Sequence, residues 1–457
     1  MGFKFNIEVP ALLIFFALNF SSTITGNYVI YATCYVTLGH NQSTCALLGT
    51  NNTTNETDQL EKEVQPFATR VTVTSSVIDT IFGPLMCFFL GSWSDKYGRK
   101  PVMLIAIAGF AGSHLIKCVL TAIPFVSPWL IILASVPTGI TGGLAASIAA
   151  FLCYVTDTTT NNERGMKLFL FEGVLGVGMV LSSLTCTLAF KAFGYPPVFL
   201  IAFLCTVLAW VFVYFCLQES VKDVQRENRM KNLFNFELLR STIKTVLKPR
   251  PHYGRGIILA TFVILGLGIF ALLGLGSVTY LYLRNRFAWS LEDCTYFTSV
   301  MTVIGILGGV LALIICYKVL KLTEVSILLL SFIVCTLSYI FQGLARNWLE
   351  IYIAKSFDFL SATISPMVRT LMSKIVDSED IGKIFSILIT VELVFGLLGS
   401  LFYTFVYNVT LTTLPSAFYF VTAGIYVIDI IMLGVIMLFK RYSTLLVYED
   451  LTNETIN

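Results

Sequence analysis

The sequence predicts an all-α membrane protein of twelve transmembrane helices in two six-helix bundles, with both termini cytoplasmic. Three observations predict it. The 457 residues are 56% hydrophobic and only 12% charged, where an average soluble protein carries about a quarter charged residues, so the apolar surplus cannot be hidden inside one globule. Runs of about 20 apolar residues, long enough to cross a ~30 Å hydrocarbon layer as helix, recur along nearly the whole length. Lys and Arg are distributed unevenly between alternate connections, which orients the chain.

In lipid every backbone polar group must be satisfied within the chain, so the spans are helices, with breaks only where they face protein or a cavity. Charged or Pro-, Gly- and Asn-rich interruptions delimit a first bundle in residues 1–216, with spans near 10–34, 72–90, 101–123, 128–155, 165–190 and 196–216. A polar connection, 217–255, leads to a second bundle in 256–438, with spans near 256–283, 295–319, 323–343, 349–372, 384–407 and 414–438. Residues 439–457 form a cytoplasmic tail. The first run, PALLIFFALNFSSTITGNYVIYATC, is too long for a signal peptide and lacks a basic leader and a small-residue cleavage site, so it reads as a span.

With the amino terminus cytoplasmic, inner loops and termini hold 21 of the 30 Lys and Arg residues, outer loops six, and Lys117, Lys355 and Arg369 lie within spans. The long outer loop, 35–71, then carries glycosylation sequons at Asn41, Asn51, Asn52 and Asn55, and Asn408 is exposed on the same side. Cys34, Cys45 and Cys294 sit at or beyond that face, making Cys45 with Cys294 a candidate disulfide if the compartment is oxidising. Most other cysteines fall in spans as small apolar residues. Connection 217–255, with nine Lys/Arg against four Asp/Glu, is either a solvated basic linker or an amphipathic segment on the anionic inner leaflet. A net charge of +3 without a basic, aromatic-interleaved patch argues against a nucleic-acid partner.

The stretch GSWSDKYGRKP, residues 91–101, is the tight inner turn between spans two and three. Gly91 and Gly98 allow close backbone approach, Pro101 suits the first turn of the next helix, and Asp95 and Arg99 are spaced to pair across one helical turn. The remaining cations can reach carbonyl ends of neighbouring helices or lipid phosphates. Asp95 and Arg99 are therefore read as an inner gate, made in one state and broken in another. The pattern resembles the G-x-x-x-D-x-x-G-R-[RK] loop of the major facilitator superfamily, in the position that family has it. The second-half counterpart, YKVLKLTE, keeps only Lys318, Lys321 and Glu324.

Ionisable groups inside spans cost about 2.5–3.5 kcal/mol each on insertion scales and mark pathways or relays. They are Asp79, His114, Lys117, Asp157 and Glu172 in the first half, and Lys355, Asp358, Arg369, Glu392 and Asp429 in the second. Glu172 stands in FLFEGVLGVGMVLSS, where Gly173, Gly176 and Gly178 invite a close neighbour. Loss of water favours its protonated form, so it is either a proton carrier or a carboxylate paired permanently with a base. Arg369, one turn past Pro366 in TISPMVRTLMSK, is either a clamp for an anion and partner of a titrating acid, or a cation reaching the inner interface. Asp157 is a member of the proton path or a boundary residue. Tyr280 and Tyr282, in SVTYLYLRNRFAW, are an interfacial aromatic belt or a substrate cradle. No hydrolytic triad, phosphate-cradling loop or metal cluster is present, so neither an enzyme nor a cofactor or metal is expected, protons being the coupling ion.

Several stretches look like the proton-coupled folate transporter family, solute carrier family 46: LGSWSDKYGRKPVML, GGLAASIAAFLCYVTD, FEGVLGVGMVLSS, SPMVRTLMSKIV and IGKIFSI. The resemblance spans both halves. It implies a proton-coupled symporter importing an organic anion, with Asp157 and Glu172 in the proton and substrate path, Arg369 in the binding cavity and Asp95 with Arg99 in the inner gate. Tyr280, Tyr282 and Asp358 are added as substrate-binding candidates from the reading of the residues above, not from the resemblance. Folate-carrying members have a histidine in span seven where this chain has Ala271, so a muropeptide or a steroid or drug conjugate competes with folate as substrate class. The outer-loop cysteine before Trp289 in relatives is Ala288 here. YSTL and YEDL in the tail fit tyrosine-based sorting signals, which implies adaptor partners and an endosomal or lysosomal membrane beside the plasma membrane. The chain is expected to act as a monomer. The alternatives are a proton antiporter exporting drug-like solutes and a non-transporting receptor or scaffold.

Overall fold

The structure, a computed structural model, describes residues 7–46, 48, 55–160, 163–221, 224–225, 233, 240, 244–250, 253–287, 289, 291–376 and 380–454. Among the described residues it is helical throughout, without a strand, and eleven helical stretches are long and apolar enough to cross a membrane. The chain divides into two compact units, Met1–Asp157 with Gly173–Leu238, and Thr158–Glu172 with Leu239–Asn457.

The first unit opens with α1 (Glu8–Ala32), which ends in a π turn, Thr33–Thr37, followed by the short α2 (Gln42–Ala46). Next comes α3 (Asn55–Tyr97), far longer than the span expected within it. Residues 35–71 read as a loop because they are polar, yet Leu60, Val64, Ala68 and Val71 recur at helical spacing. That stripe is buried against Tyr28, Val29, Cys34 and Cys45, so a tertiary surface makes helix of a segment whose average composition is that of a loop.

The cysteine expectation is corrected here. Cys45 is bonded to Cys34, with Cα atoms 5.7 Å apart and eleven residues between them in sequence, while Cys294 is a free, buried thiol. The reversal from the π turn into α2 brings two cysteines of one segment within bridging distance, which a pairing by membrane face alone does not capture.

Helices α4 (Arg99–Ala122), α5 (Ser135–Thr141), α6 (Gly143–Thr158), α7 (Arg164–Phe193) and α8 (Tyr195–Cys216) follow. Span four is thus interrupted, its 3₁₀ segment Pro128–Ala134 leading into α5 and then α6. Both α1 and α4 pack on α8, over a core of Ala17, Phe20, Ile24, Cys186, Val198 and Phe199. Of the glycines in α7, Gly178 lies against the α1 backbone, where an added Cβ would sit 3.0 Å from the Leu12 carbonyl oxygen; Gly173 has open space.

The second unit contains α9 (Gly254–Phe287), α10 (Leu291–Ile314), α11 (Glu324–Leu344), α12 (Trp348–Ser356), α13 (Ser361–Ser373), α14 (Ile381–Thr410) and α15 (Ala417–Glu454). Helix α9 packs on α14 and α15, and α11 on α13 and α15. Gly399 permits the tightest of these contacts, since a Cβ there would fall 2.1 Å from the Phe270 carbonyl oxygen. Span ten is broken into α12 and α13 by a 3₁₀ turn at Phe357–Leu360. The break precedes Pro366, which sits inside continuous α13. Proline removes one backbone donor, but the change of winding lies at the charged Asp358.

Candidate functional site

Burying a guanidinium in a membrane helix is tolerable only if its N–H donors meet acceptors of opposite charge. Arg369 on α13 meets two. Nη2 donates to both oxygens of Glu392 on α14, at 2.7 and 2.8 Å, the forked geometry that makes Arg–carboxylate pairs strong and directional. Nη1 donates to Oε1 of Glu172 on α7, and the same oxygen accepts from Ser365 Oγ at 3.0 Å. The three residues and Ser365 all lie in the second unit.

The arrangement is unequal in a way that assigns roles. The Arg369 side chain is 7% exposed, Glu392 10% and Glu172 21%. Glu392 is held through both oxygens, Glu172 through one. With all three groups ionised, the cluster carries one net negative charge where little water can screen it. A proton on Glu172 neutralises the cluster while the Arg369–Glu392 fork stays intact. Glu392 was visible in the sequence only as an intramembrane acid without a partner, and Ser365 gave no signal; one turn before Arg369 on the same helix, Ser365 is placed for its role by α13 itself.

The charged turn builds a second cluster, in the first unit. Arg99 Nη1 lies 2.6 Å from Asp95 Oδ1 and donates to Ser94 Oγ at 2.6 Å, and Nε donates to Asp157 Oδ2 at 3.1 Å. Asp157 also accepts from Ser220 Oγ at 2.9 Å. Its partner is thus Arg99, on the gate residue that the sequence paired with Asp95 alone. The Glu219 carboxylate accepts from the backbone N–H groups of Arg99 at 2.8 Å and Lys100 at 3.2 Å, closing the start of α4. Lys100 Nζ reciprocates by donating to the Tyr214 and Leu217 carbonyls at the end of α8, at 2.7 and 2.8 Å. Anion at a helix start and cation at a helix end both follow the helix dipole. Gly98 makes the turn possible: its φ is +107°, and a Cβ would lie 2.3 Å from Glu219 Oε2.

The other residues singled out are spread more widely. Asp358, in the 3₁₀ turn, is 2.5 Å from Lys355 Nζ and accepts from Tyr339 Oη at 2.9 Å. Tyr282 is fully buried, edge-on to Phe418 and Tyr419. Tyr280 is half-buried. Residues two apart on a helix point about 200° apart, so the two rings have different surroundings. Asn41 is exposed and accepts from the Ser43 N–H at 3.2 Å; Asn55 begins α3; Asn408 is exposed near the end of α14. Asn51 and Asn52 lie outside the described residues, as does Ala288. No group of three or more metal-ligating side chains occurs among the described residues.

A family model described as the Major Facilitator Superfamily matches residues 74–400. The chain is 31% identical over 455 residues to a probable peptidoglycan muropeptide transporter of Drosophila melanogaster, covering 97% of this chain and 87% of that one. It is 25% identical over 446 residues to the proton-coupled folate transporter of Rattus norvegicus, covering 95% and 92%. Over 473 residues it is 21% identical to a lysosomal proton-coupled steroid conjugate and bile acid symporter of the same species, covering 99% of each. Among solved structures, a human organic anion transporter superposes with a TM-score of 0.64 at 15% identity, covering 94% of this chain and all of that one.

Proposed function

The chain belongs to the major facilitator superfamily and, within it, to solute carrier family 46, and from that premise we propose that it is a proton-coupled symporter importing an amphipathic organic anion by alternating access. It is a multi-pass membrane transporter, not an enzyme. The observation that carries the symport reading is the pairing of one guanidinium, Arg369, with two carboxylates, Glu172 and Glu392.

The physical argument runs through competition for Arg369. An anionic substrate and ionised Glu172 want the same Nη1 donor. Protonating Glu172 neutralises its claim and frees that donor, while Glu392 holds the rest of the guanidinium in place. Substrate and proton therefore bind together, and releasing either weakens the hold on the other. Glu172 is the proton carrier and Arg369 the substrate clamp. The Arg99 cluster of Asp95, Asp157 and Ser220, which ties the α3–α4 turn to the end of α6 and the segment after α8 within the first unit, is the cytoplasmic gate, made in one state of the cycle and broken in another.

The substrate class is an organic anion with an apolar body: a muropeptide, a steroid or drug conjugate, or a folate-like compound. Relatives named for each of the three support the range. Fully buried Ala271, where folate-carrying members have a histidine, weighs against folate. The plasma membrane or an endosomal or lysosomal membrane is the proposed location.

Uptake into proteoliposomes decides the coupling. Between outside values of about pH 7.5 and about pH 5.5, uptake is expected to rise roughly tenfold in the wild type and to lose the greater part of that dependence in Glu172→Gln, in which the position is permanently neutral. Equal wild-type rates at the two values refute symport. Stimulation by a gradient of the opposite sign would instead identify the antiporter.

A further inference from the structure

The Lys355–Asp358–Tyr339 cluster, at the break in span ten, is not used by the Arg369 mechanism. Asp358 is 6% exposed; its Oδ2 accepts from Lys355 Nζ at 2.5 Å and Tyr339 Oη at 2.9 Å, and the Cys335 thiol is a further hydrogen-bonding neighbour of the carboxyl group. Oδ1 is buried and accepts from no nitrogen or oxygen donor among the described residues. A carboxylate with one oxygen short of a strong donor in a dry site is poorly compensated, and a proton on that oxygen would relieve it. Lys355, by contrast, is 27% exposed along its side chain. Its ammonium stands 5.2 Å over the Tyr339 ring, and among the described residues it donates to the Asp358 carboxylate alone.

Beside this ammonium lies an aromatic surface. Tyr352, three residues before Lys355 and so on the same helical face, packs against Trp289 at 5.7 Å and Phe297 at 4.9 Å between ring centroids, with Trp348 at 6.1 Å. A cation at the edge of such a surface matches a solute with an anionic group on a flat apolar ring. The titratable groups around Asp358 are Lys355 from its own span, Cys335 and Tyr339 from α11, and Tyr419 and Tyr426 from α15. Asp293 and Cys294, at the start of α10, face Tyr352 instead.

We propose that Lys355 is a second anion-binding site, masked by Asp358 and exposed when Asp358 takes a proton on Oδ1, with the partly exposed Tyr352 and Trp289, backed by buried Phe297, receiving the aromatic body of the ligand. Protonation removes the negative charge that holds Nζ, and the ammonium turns to the ligand carboxylate or sulfonate. Lys355 and Arg369 are fourteen residues apart in sequence, about 20 Å of helix, so a small solute occupies the two sites in turn while a long dianion could span them. The proposal deepens the organic-anion reading and rests on it for the identity of the ligand.

Equilibrium binding of 2-naphthoate to the full-length Glu172→Gln protein in nanodiscs tests it without requiring transport, since the Arg369 site then contributes no pH response of its own. In that background affinity is expected to be about tenfold higher near pH 5.5 than near pH 7.5, since apparent affinity scales with the competent fraction. Adding Lys355→Gln should remove the pH-dependent component, adding Lys355→Arg should retain most of the low-pH affinity, and adding Asp358→Asn should give tight binding at both values. A pH response that survives Lys355→Gln or Asp358→Asn in this background overturns the proposal. A failure of proton-driven uptake would refute symport and leave this binding result standing.

Discussion

Buried charge is legible in a membrane sequence because it is expensive, and for the same reason it must be compensated. Glu172 and Arg369 could be picked out of FLFEGVLG and SPMVRTLM on that ground alone. Their partners could not: Glu172 and Arg369 are 197 residues apart, and Glu392 reaches Arg369 from a third helix. Which acid meets which base is a property of helix packing, not of any local pattern. Asp429 on α15 shows the opposite case. It is wholly buried, with neither carboxyl oxygen hydrogen-bonded among the described residues, so the cheapest state for it is a neutral one. Asp429→Leu is expected to stabilise the protein by about 1–3 kcal/mol, the desolvation cost of an unpaired polar group, whereas Asp429→Asn should be near neutral. Thermal unfolding in detergent measures both; marked destabilisation by Asp429→Leu would mean that the carboxyl finds a partner in another state of the cycle.

At the scale of elements, helix interiors followed the hydropathy pattern closely, and the departures lie where helices start, stop or break. The polar start of α3 folds as helix because a stripe of four apolar residues meets the Cys34–Cys45 segment. Span ten breaks at Asp358, not at Pro366, because a proline leaves most of a helix intact while a charged side chain drawn to Lys355 and Tyr339 favours a tighter turn. The α3–α4 turn is where backbone geometry is most demanding. With φ +107° and ψ +153°, Gly98 occupies a region essentially closed to other residues, directly beneath the Glu219 carboxylate that caps α4. Gly98→Ala is expected to cost about 1–3 kcal/mol from backbone strain, with further loss from displacement of Glu219. A melting temperature unchanged from wild type would show that the turn can relax without the cap. The motif was readable from its spacing, but Glu219, 120 residues from Arg99, was not.

For the molecule as a whole, the number of carboxylates that take a proton in each cycle sets the charge that crosses the membrane. If Glu172 alone does so, a monoanion enters with one proton and no net charge moves. If Asp358 must also be protonated to expose Lys355, the same monoanion enters with two protons, and one positive charge crosses. That charge is coupled to the membrane potential by about 2.3 kcal/mol per 100 mV, a driving force unavailable to an electroneutral carrier. Voltage clamp of cells expressing the chain at acidic outside pH is therefore expected to record an inward current with monoanionic substrates. Asp358→Asn, which needs no proton to expose Lys355, should continue uptake and lose the current; Glu172→Gln should keep only the pH dependence that Asp358 supplies, and the double variant should lose it altogether. Electroneutral entry of a monoanion in the wild type would restrict coupling to Glu172, because a second proton taken up on the way in has no other route by which to leave the charge balance unchanged.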